Sequence, residues 1–166
     1  MKIVIFPGGI AEWNDHRVPC ALGRAGVSRY KREADGATPV GCFALRRVLY
    51  RNDRVAQPVT VLPVVPIDPL DAWCDDPDDP RYNQLVRQPY DASFELLWRD
   101  DRIYDIIVVL GFNDNPVVPG RGSAIFLHVA RPDFGPTQGC VAVSEPNLRQ
   151  ILDACKPTSK LCVKPR

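Results

Sequence analysis

The sequence predicts a mainly β fold: a β-rich α+β domain, arranged as a sandwich or barrel, with one helix in the C-terminal region. Three observations support this prediction. The 166 residues include 17 Pro and 11 Gly, which favour many turns and short strands over long helices. Residues 103–110 (IYDIIVVL) are almost continuously apolar, as expected of a central strand buried on both faces. Turn residues recur between this run and several shorter apolar runs.

Eight such runs are predicted as strands. They are residues 2–6, 17–22, 42–50, 59–65, 103–110 and 123–129, with short strands at 140–143 and 160–164. The first run is too short for the apolar core of a signal peptide and ends at Pro7-Gly8-Gly9, so it is interpreted as a strand and a turn. There is no internal repeat, and the length favours a single domain over residues 1–166.

One helix is predicted, over residues 145–155. Ser144 is a suitable N-cap, and Pro146 lies in the first turn, where a missing N–H is tolerated. Spacing of i, i+3, i+4 and i+7 gives the helix one apolar face, formed by Leu148, Ile151, Leu152 and Cys155. We expect this helix to pack behind the segment that precedes it and to hold that segment in place.

The segment 66–102 is predicted as a long polar insertion without regular structure, apart from a short helical turn at 94–98. Long loops of this kind are often functional, so 66–102 is a candidate lid. Four Asp residues within 75–79 would suit calcium, but the spacing lacks the glycine and the final Glu of an EF-hand loop. A solvated, Pro-rich turn is therefore the favoured interpretation.

The charge balance argues against several classes of partner. With 21 basic and 20 acidic residues the net charge is +1, so there is no basic field for nucleic acid or for an anionic membrane. No run of 18 apolar residues exists, and no membrane span is predicted. Because no export signal is visible, a cytoplasmic location is expected. The alternative is the periplasm, if an export sequence has been removed.

The six cysteines show no metal-binding pattern. No pair has C-x-x-C spacing, and His16 and His128 lie far apart, so neither a zinc site nor another metal or cofactor is predicted. Without an export signal, reduced thiols are expected. Four cysteines have apolar neighbours and are predicted to be small core residues; they are Cys20, Cys42, Cys155 and Cys162. Cys74 lies in a polar loop and is left unassigned.

One segment carries the residues best suited to catalysis. An apolar strand leads to His128, and after a loop rich in Pro and Gly the residues Thr137, Gln138 and Gly139 precede Cys140. The thiolate is the attacking form of cysteine, but a free thiol with a pKa of about 8.5 is only ~3% ionised at pH 7, so a nearby histidine is needed to take the proton. The glycine permits a sharp turn. Backbone N–H groups in this turn are candidate oxyanion donors, worth roughly 3–4 kcal/mol each in other enzymes.

Both residues also have ordinary structural interpretations, since free cysteine is among the most buried residue types and His128 could be a satisfied core histidine. Three further residues are candidate substrate contacts. Arg121 lies between Gly120 and Gly122 and could clamp a carboxylate, or simply be an exposed hairpin residue. Tyr104 and Asn113 are weaker candidates.

The His128 to Cys140 segment resembles the catalytic signature of the L,D-transpeptidase (YkuD-like) family, which has a histidine, a spacer and then Ser/Thr-His-Gly-Cys with a hydrophobic residue. His128 matches the first histidine, Thr137 the Ser/Thr, Cys140 the nucleophile and Val141 the hydrophobic residue. A second segment, 35–43 (DGATPVGCF), is similar to the family's Thr-Pro-x-Gly-x-Phe strand entry.

The sequence also departs from that signature. Gln138 stands where the family usually has a second histidine, and Ala142 where it usually has Asn or Arg. The spacer between His128 and Thr137 is shorter than the usual pattern. These departures affect the expected substrate contacts more than the nucleophile.

The resemblance implies an L,D-transpeptidase-like sandwich or barrel and acyl transfer on murein stem peptides, without a cofactor. Cys140 would attack the carbonyl between the L-centre of meso-diaminopimelate and a terminal D-Ala, and His128 would move the protons. The acceptor would be an amine in transpeptidation, or water in L,D-carboxypeptidation, which a cytoplasmic location favours.

Other classes fit less well. A non-catalytic module that binds cell-wall peptides, with an inert Cys140, is the main alternative. Papain-like and NlpC-type peptidases place Cys before His in the chain, the reverse of the order here. Sortases need a downstream arginine on the neighbouring strand, and Arg149 on the predicted helix does not provide it.

Overall fold

The computed structural model describes all 166 residues and confirms the mainly β fold, with 36% of residues in strands and one short helix. The strands are β1 (Lys2–Phe6), β2 (Ile10–Trp13), β3 (His16–Pro19), β4 (Val27–Ser28), β5 (Thr38–Pro39), β6 (Gly41–Tyr50), β7 (Val64–Pro66), β8 (Asp71–Cys74), β9 (Leu85–Arg87), β10 (Phe94–Leu96), β11 (Ile106–Leu110), β12 (Phe126–Val129), β13 (Val141–Val143) and β14 (Lys160–Val163). The helix, α1, spans Glu145–Ala154. No helix has the length and apolar character needed to cross a bilayer.

Nine strands form one large sheet that nearly closes into a barrel. Its order is β13-β12-β11-β6-β14-β1-β2-β3, with β7 paired to β6. The two ends of this order are joined by Ala21, just after β3. The Ala21 N–H donates to the Ala142 carbonyl at 2.8 Å, and the Ala142 N–H donates back at 3.0 Å. This exchange ties the edge strand β13 to the opposite edge of the sheet.

The central strand β11 shows how the two faces of the sheet differ. All five of its residues are buried, between β6 and β12. Successive side chains point to opposite faces of a strand. Ile106, Val108 and Leu110 enter the main core of 25 buried residues, which we call the barrel core. Ile107 and Val109 enter a second cluster of 10 buried residues, which includes Cys140 and which we call the site cluster.

The predicted helix is confirmed, and α1 packs as expected. Ser144 Oγ accepts a hydrogen bond from the Asn147 N–H at 3.4 Å, which caps the first turn. Leu148, Ile151 and Leu152 are fully buried in the barrel core, where β13 also contributes. Because α1 follows β13 after a single residue, its packing fixes the end of the segment that carries Cys140.

The prediction that residues 66–102 lack regular structure is wrong. They contain β8, β9 and β10, which form a three-stranded sheet in the order β10-β8-β9. Trp73 and Leu97 anchor this sheet in the site cluster. The helical turn predicted at 94–98 is also wrong, since Phe94–Leu96 is β10, paired antiparallel to β8. Three short strands separated by Pro and Asp give no run long enough to show the period of two.

Several strand boundaries also differ from the predicted ones. The run 59–65 contributes only β7, which pairs in parallel with β6, and Val59 and Val61 are exposed. β11 and β12 each begin three residues after the start of the predicted runs 103–110 and 123–129. β2, β4 and β5 were not predicted, because strands of two to four residues leave little pattern in a sequence.

The expectation of reduced thiols is wrong for two cysteines. Cys42 and Cys162 face each other on β6 and β14 and form a disulfide. Cys42 is exposed and is not the core residue that its apolar neighbours suggested. The two cysteines are 120 residues apart, and only the pairing of their strands brings them together. Cys20, Cys74 and Cys155 are free and buried, as is Cys140.

Candidate active site

Two neighbouring strands place His128 and Cys140 on the same face of the large sheet. In the parallel pair of β12 and β13, Leu127 lies opposite Val141 and His128 opposite Ala142. Continuing this register by one residue sets Phe126 beside Cys140. Phe126 and His128 are two residues apart, so both point to the face of Cys140. Ordinary strand spacings then put the Cα atoms of His128 and Cys140 about 8 Å apart, within reach of their side chains.

The turn before Cys140 is held by its own side chain and by close packing. Thr137 Oγ1 donates to the Cys140 carbonyl at 2.7 Å and accepts from the Gly139 N–H at 3.1 Å. Gly139 has a φ of 143°, and a Cβ there would lie 2.9 Å from the Ala37 carbonyl oxygen. Glycine is therefore required at this position for both its backbone conformation and the close approach of a neighbouring segment.

The Cys140 sulfur is buried and hydrogen-bonded to the backbone. Its thiol donates to the Ala124 carbonyl at 3.1 Å and accepts from the Phe126 N–H at 3.3 Å. Burial, and to a smaller extent the nearby Glu95 carboxylate, raises the pKa of this thiol to about 12. The candidate nucleophile is thus a neutral thiol, a form that would need a base before it could attack.

The His128 ring is oriented by the main chain. Its Nδ1 lies 2.9 Å from the Val129 carbonyl, which as an acceptor fixes the proton on Nδ1 and leaves Nε2 as the basic nitrogen. Burial lowers the pKa of His128 to about 4, partly offset by the Val129 carbonyl. The imidazole is therefore neutral at pH 7 and able to accept a proton. No hydrogen bond joins it to Cys140, which is common for catalytic pairs before substrate binds.

Two backbone donors near the sulfur are free. The N–H groups of Gln138 and Cys140 donate to no atom of the protein, whereas the Gly139 N–H is taken by Thr137. Two free N–H groups in the turn that carries a candidate nucleophile suit the oxygen of a tetrahedral intermediate. Of the predicted oxyanion group, Gln138 and Cys140 have donors to offer, and Thr137 and Gly139 shape the turn.

A cavity of about 520 Å³ opens beside these residues and is lined by Cys140, His128, Tyr104, Thr137 and Gln138 among others. Cys140 is 6% and His128 4% exposed, so each reaches the cavity with only a small part of its side chain. Six charged residues also line the cavity; they are Lys31, Glu33, Asp75, Glu95, Arg99 and Arg131. The cavity thus offers both signs of charge within reach of the sulfur.

Tyr104 contacts the catalytic candidates, as the sequence predicted for a pocket residue. Its ring meets the His128 ring edge-on, with centroids 5.2 Å apart, and its hydroxyl donates to Glu95 at 2.5 Å. Glu95 was missed, because the segment that carries β10 gave no strand signal from which its direction could be inferred. Arg131 was also missed; it is exposed, lines the cavity and has no hydrogen-bond partner.

Arg121 and Asn113 do not line the Cys140 cavity. Both line a second cavity of about 510 Å³ beside Cys42 and Phe43. Asn113 holds its own loop together: its amide nitrogen donates to the Val118 and Gly122 carbonyls, and its oxygen accepts from the Val118 N–H. Arg121 is exposed at the tip of this loop. The turn at Gly120 and Gly122 directs the arginine away from the sulfur.

Asn83 is a structural residue of the site that sequence reasoning did not identify. Its oxygen accepts from the Trp73 indole at 2.9 Å and from the Ala124 N–H at 3.1 Å. Its nitrogen donates to the carbonyls of Phe112 and Asn113. Asn83 thus joins the small sheet to the residue whose carbonyl receives the Cys140 thiol. A lone Asn in a polar segment carries no sequence signal for this role.

Asp76 and Asp79, two of the four Asp residues at 75–79, hydrogen-bond within the small sheet and its turns. Asp76 accepts from the Asp78 N–H at 3.0 Å, and Asp79 accepts from the Arg81 N–H and the Tyr90 hydroxyl. No group of three or more His, Cys, Asp or Glu side chains is arranged to hold a metal ion.

The sequence pattern of the L,D-transpeptidase catalytic domain, YkuD, matches residues 8–163. The chain belongs to this family. The match covers both segments on which the resemblance rested, together with the sheet and helix that position Cys140. A comparison with curated protein sequences gives no match.

Three solved structures, two of them L,D-transpeptidases, are similar to this YkuD chain at low identity. An L,D-transpeptidase from Mycobacterium smegmatis is 12% identical, with a TM-score of 0.45, over 99% of this chain and 58% of that one. L,D-transpeptidase 1 of Mycobacterium tuberculosis is 13% identical, with a TM-score of 0.42, over 97% and 59%. A mutant of the helical cell shape determining protein Pgp2 from Campylobacter jejuni is 15% identical, with a TM-score of 0.43, over 99% and 47%. The chain therefore spans roughly half to three fifths of these proteins.

Proposed function

We propose that this chain is a cysteine-dependent acyl-transfer enzyme that acts on peptidoglycan stem peptides. Cys140 attacks the carbonyl between the L-centre of meso-diaminopimelate and the terminal D-Ala, and D-Ala leaves as a thioester forms on the sulfur. An amine or water then takes the acyl group from the thioester. Family membership supports this substrate class. The observation that carries the proposal is that a cysteine and a neutral histidine line one cavity beside two free N–H groups.

The charge states of the pair favour general-base catalysis over a preformed thiolate. A thiol with its pKa raised to about 12 and an imidazole with its pKa lowered to about 4 both resist ionisation at pH 7. Nε2 of His128 accepts the thiol proton as the sulfur attacks, and then donates it to the amine of the leaving D-Ala. The Gln138 and Cys140 N–H groups stabilise the oxyanion.

Arg131 is the most suitable residue for the carboxylate of the terminal D-Ala. It lines the cavity and has no partner within the protein, whereas Lys31 pairs with Asp35 at 2.6 Å and Arg99 binds Asp101 through two hydrogen bonds. A guanidinium can hold a carboxylate through two parallel hydrogen bonds. This assignment replaces Arg121, which lines the other cavity.

The acceptor depends on location, which the sequence suggested to be the cytoplasm. There the acyl-enzyme would meet recycled muropeptides and water, and the product would be a tripeptide. The Cys42–Cys162 disulfide supports the alternative, an oxidising compartment outside the cytoplasm, where amine acceptors are present. We propose that the same thioester serves both outcomes and that the available acceptor decides between them.

The test is incubation of the purified protein with a disaccharide-tetrapeptide, followed by mass analysis of the products. Crosslinked dimers identify transpeptidation and free tripeptide identifies carboxypeptidation. Cys140→Ser and His128→Asn should abolish both products, while Cys155→Ser, which alters a buried cysteine away from the cavity, should retain them. If Cys140→Ser still formed both products, the proposal would be refuted.

A peptide-binding module without catalysis remains the second candidate, and one observation favours it. The Cys140 thiol donates its proton to a backbone carbonyl and not to His128, as an inert structural cysteine would. Exposure to a carbapenem, followed by intact-mass measurement, separates the two functions. A covalent adduct that disappears in Cys140→Ser supports the enzyme. Peptide binding with no adduct and no product supports the module.

A further inference from the structure

Glu95 lines the Cys140 cavity with one of its carboxylate oxygens unpartnered. Its side chain extends from β10 and accepts one hydrogen bond, from the Tyr104 hydroxyl to Oε1 at 2.5 Å. Its second oxygen, Oε2, has no partner. Three cations line the cavity. Lys31 pairs with Asp35 and Arg99 with Asp101, and the third, Arg131, forms no salt bridge. No side chain of the protein forms a salt bridge with Glu95.

Glu33 and Asp75 are the other two carboxylates that line the cavity, and Glu33 differs from Glu95 in having partners on both of its oxygens. Glu33 accepts hydroxyl hydrogen bonds from Tyr82 and Ser123 on one oxygen and the Ala34 N–H on the other. Asp75 accepts from the Ser93 hydroxyl at 2.6 Å. Glu95 is half-buried, and a partly desolvated carboxylate with an unpartnered oxygen and no salt bridge is costly to keep charged. Glu95 therefore requires an explanation that Glu33 does not require. What sets Glu95 apart from Asp75 is its bond to Tyr104, whose ring packs against His128.

The position of Glu95 also works against the nucleophile. A negative charge near a thiol disfavours the thiolate, and Glu95 is, after burial, the main group that raises the pKa of Cys140. Burial raises the pKa of Glu95 itself as well. Tyr104 contacts both groups of residues: its hydroxyl donates a hydrogen bond to Glu95, and its ring packs against His128. A cation on the substrate would compensate the charge of Glu95 and would also stop that charge from raising the pKa of Cys140.

We infer that Glu95 binds a primary ammonium group of the substrate through Oε2, while Tyr104 holds Oε1. This inference rests on the proposed function and deepens it, because diaminopimelate carries a second amino group at its D-centre. An ammonium has three donors and no acceptor, which matches a carboxylate oxygen with free lone pairs. Once its charge is neutralised, Glu95 no longer opposes ionisation of the sulfur. Binding of the correct peptide thus favours the reactive form of Cys140.

The experiment compares Glu95→Gln with wild type on two stem tetrapeptides, one with the D-centre amine free and one with it acetylated. Gln keeps the size of the side chain and the acceptor for Tyr104, so only the charge is lost. We expect a rise in KM of about tenfold for the free amine and little change for the acetylated peptide. Asp75→Asn removes a charge that Ser93 already binds and should keep the wild-type preference. Equal KM values for the two peptides in wild type would overturn the inference.

The same amino group occurs on the donor and on an amine acceptor, and the assay separates these sources. A rise in KM for D-Ala release assigns the bound ammonium to the donor, and a rise seen only for the acceptor assigns it to the acceptor. A second measurement needs no turnover: iodoacetamide labelling of Cys140 at pH 8 should be roughly three- to tenfold faster in Glu95→Gln. If wild type turns over neither peptide, the proposed function fails. Calorimetry with meso-diaminopimelate, expected to bind wild type and not Glu95→Gln, then decides the inference alone.

Discussion

The buried neutral state of His128 should make the stability of the protein depend on pH in a defined window. The pKa of His128 is lowered from 6.5 to about 4 by burial, so between these values the unfolded chain binds a proton that the folded chain does not. Stability therefore rises with pH through this window, is complete above about pH 6.5 and is lost as the pH falls toward 4. At pH 4.5 the loss due to this residue alone is about 2–3 kcal/mol.

Urea unfolding of wild type and His128→Asn at pH 7 and pH 4.5 measures this contribution. Carboxylates change stability equally in both proteins, so the difference between the two pH dependences isolates His128. The fall in unfolding free energy should be about 2–3 kcal/mol smaller in His128→Asn. His16→Asn is the matched control, because His16 is exposed, and it should follow wild type. Identical pH dependences for wild type and His128→Asn would refute a buried, neutral imidazole and with it the proposed proton acceptor.

Three further perturbations test the geometry of the site. Gly139→Ala adds a Cβ at 2.9 Å from the Ala37 carbonyl oxygen and strains a positive φ. We expect the unfolding free energy to fall by roughly 1–3 kcal/mol and carbapenem acylation to be lost. Normal acylation of this variant would contradict the tight turn. Asn83→Ala leaves the Trp73 indole and other buried groups unpaired and should lower the unfolding free energy by about 2 kcal/mol or more, measured in urea. Arg131→Ala should raise the KM for the tetrapeptide about tenfold with kcat nearly unchanged; an unchanged KM would exclude Arg131 as the carboxylate contact.

The parts of the site that lie close together in the sequence were predictable. His128 and Cys140 fall within one short segment, and the strand, turn and helix around them carry local signals: an apolar run, a required glycine and a capped amphipathic pattern. The rest depends on tertiary pairing. Nothing local relates Cys42 to Cys162, or Asn83 to Ala124, until the strands that bear them are in register.

The small sheet shows a different reason for failure. β8, β9 and β10 have three or four residues each, so hydrophobic alternation has no length over which to appear. Glu95 consequently looked like a residue of a solvated loop, although its strand turns it toward Tyr104. The prediction that Arg121 contacts the substrate at Cys140 was wrong for a related reason. The glycines on both sides of Arg121 leave the direction of its side chain undetermined by the sequence.

The hydrogen bonds that Ala21 and its neighbours make to the Cys140 segment have a consequence for how the candidate site assembles. Besides the exchange with Ala142, the Thr137 N–H donates to the Leu22 carbonyl, and the Arg24 N–H donates to the Thr137 carbonyl. The segment that carries Cys140 is thus hydrogen-bonded to residues 21–24, more than 100 positions earlier in the chain. Contacts between such distant parts of a chain form late during folding. A partly folded chain without these bonds would leave the Cys140 turn unanchored, so the candidate site is complete only in the native structure.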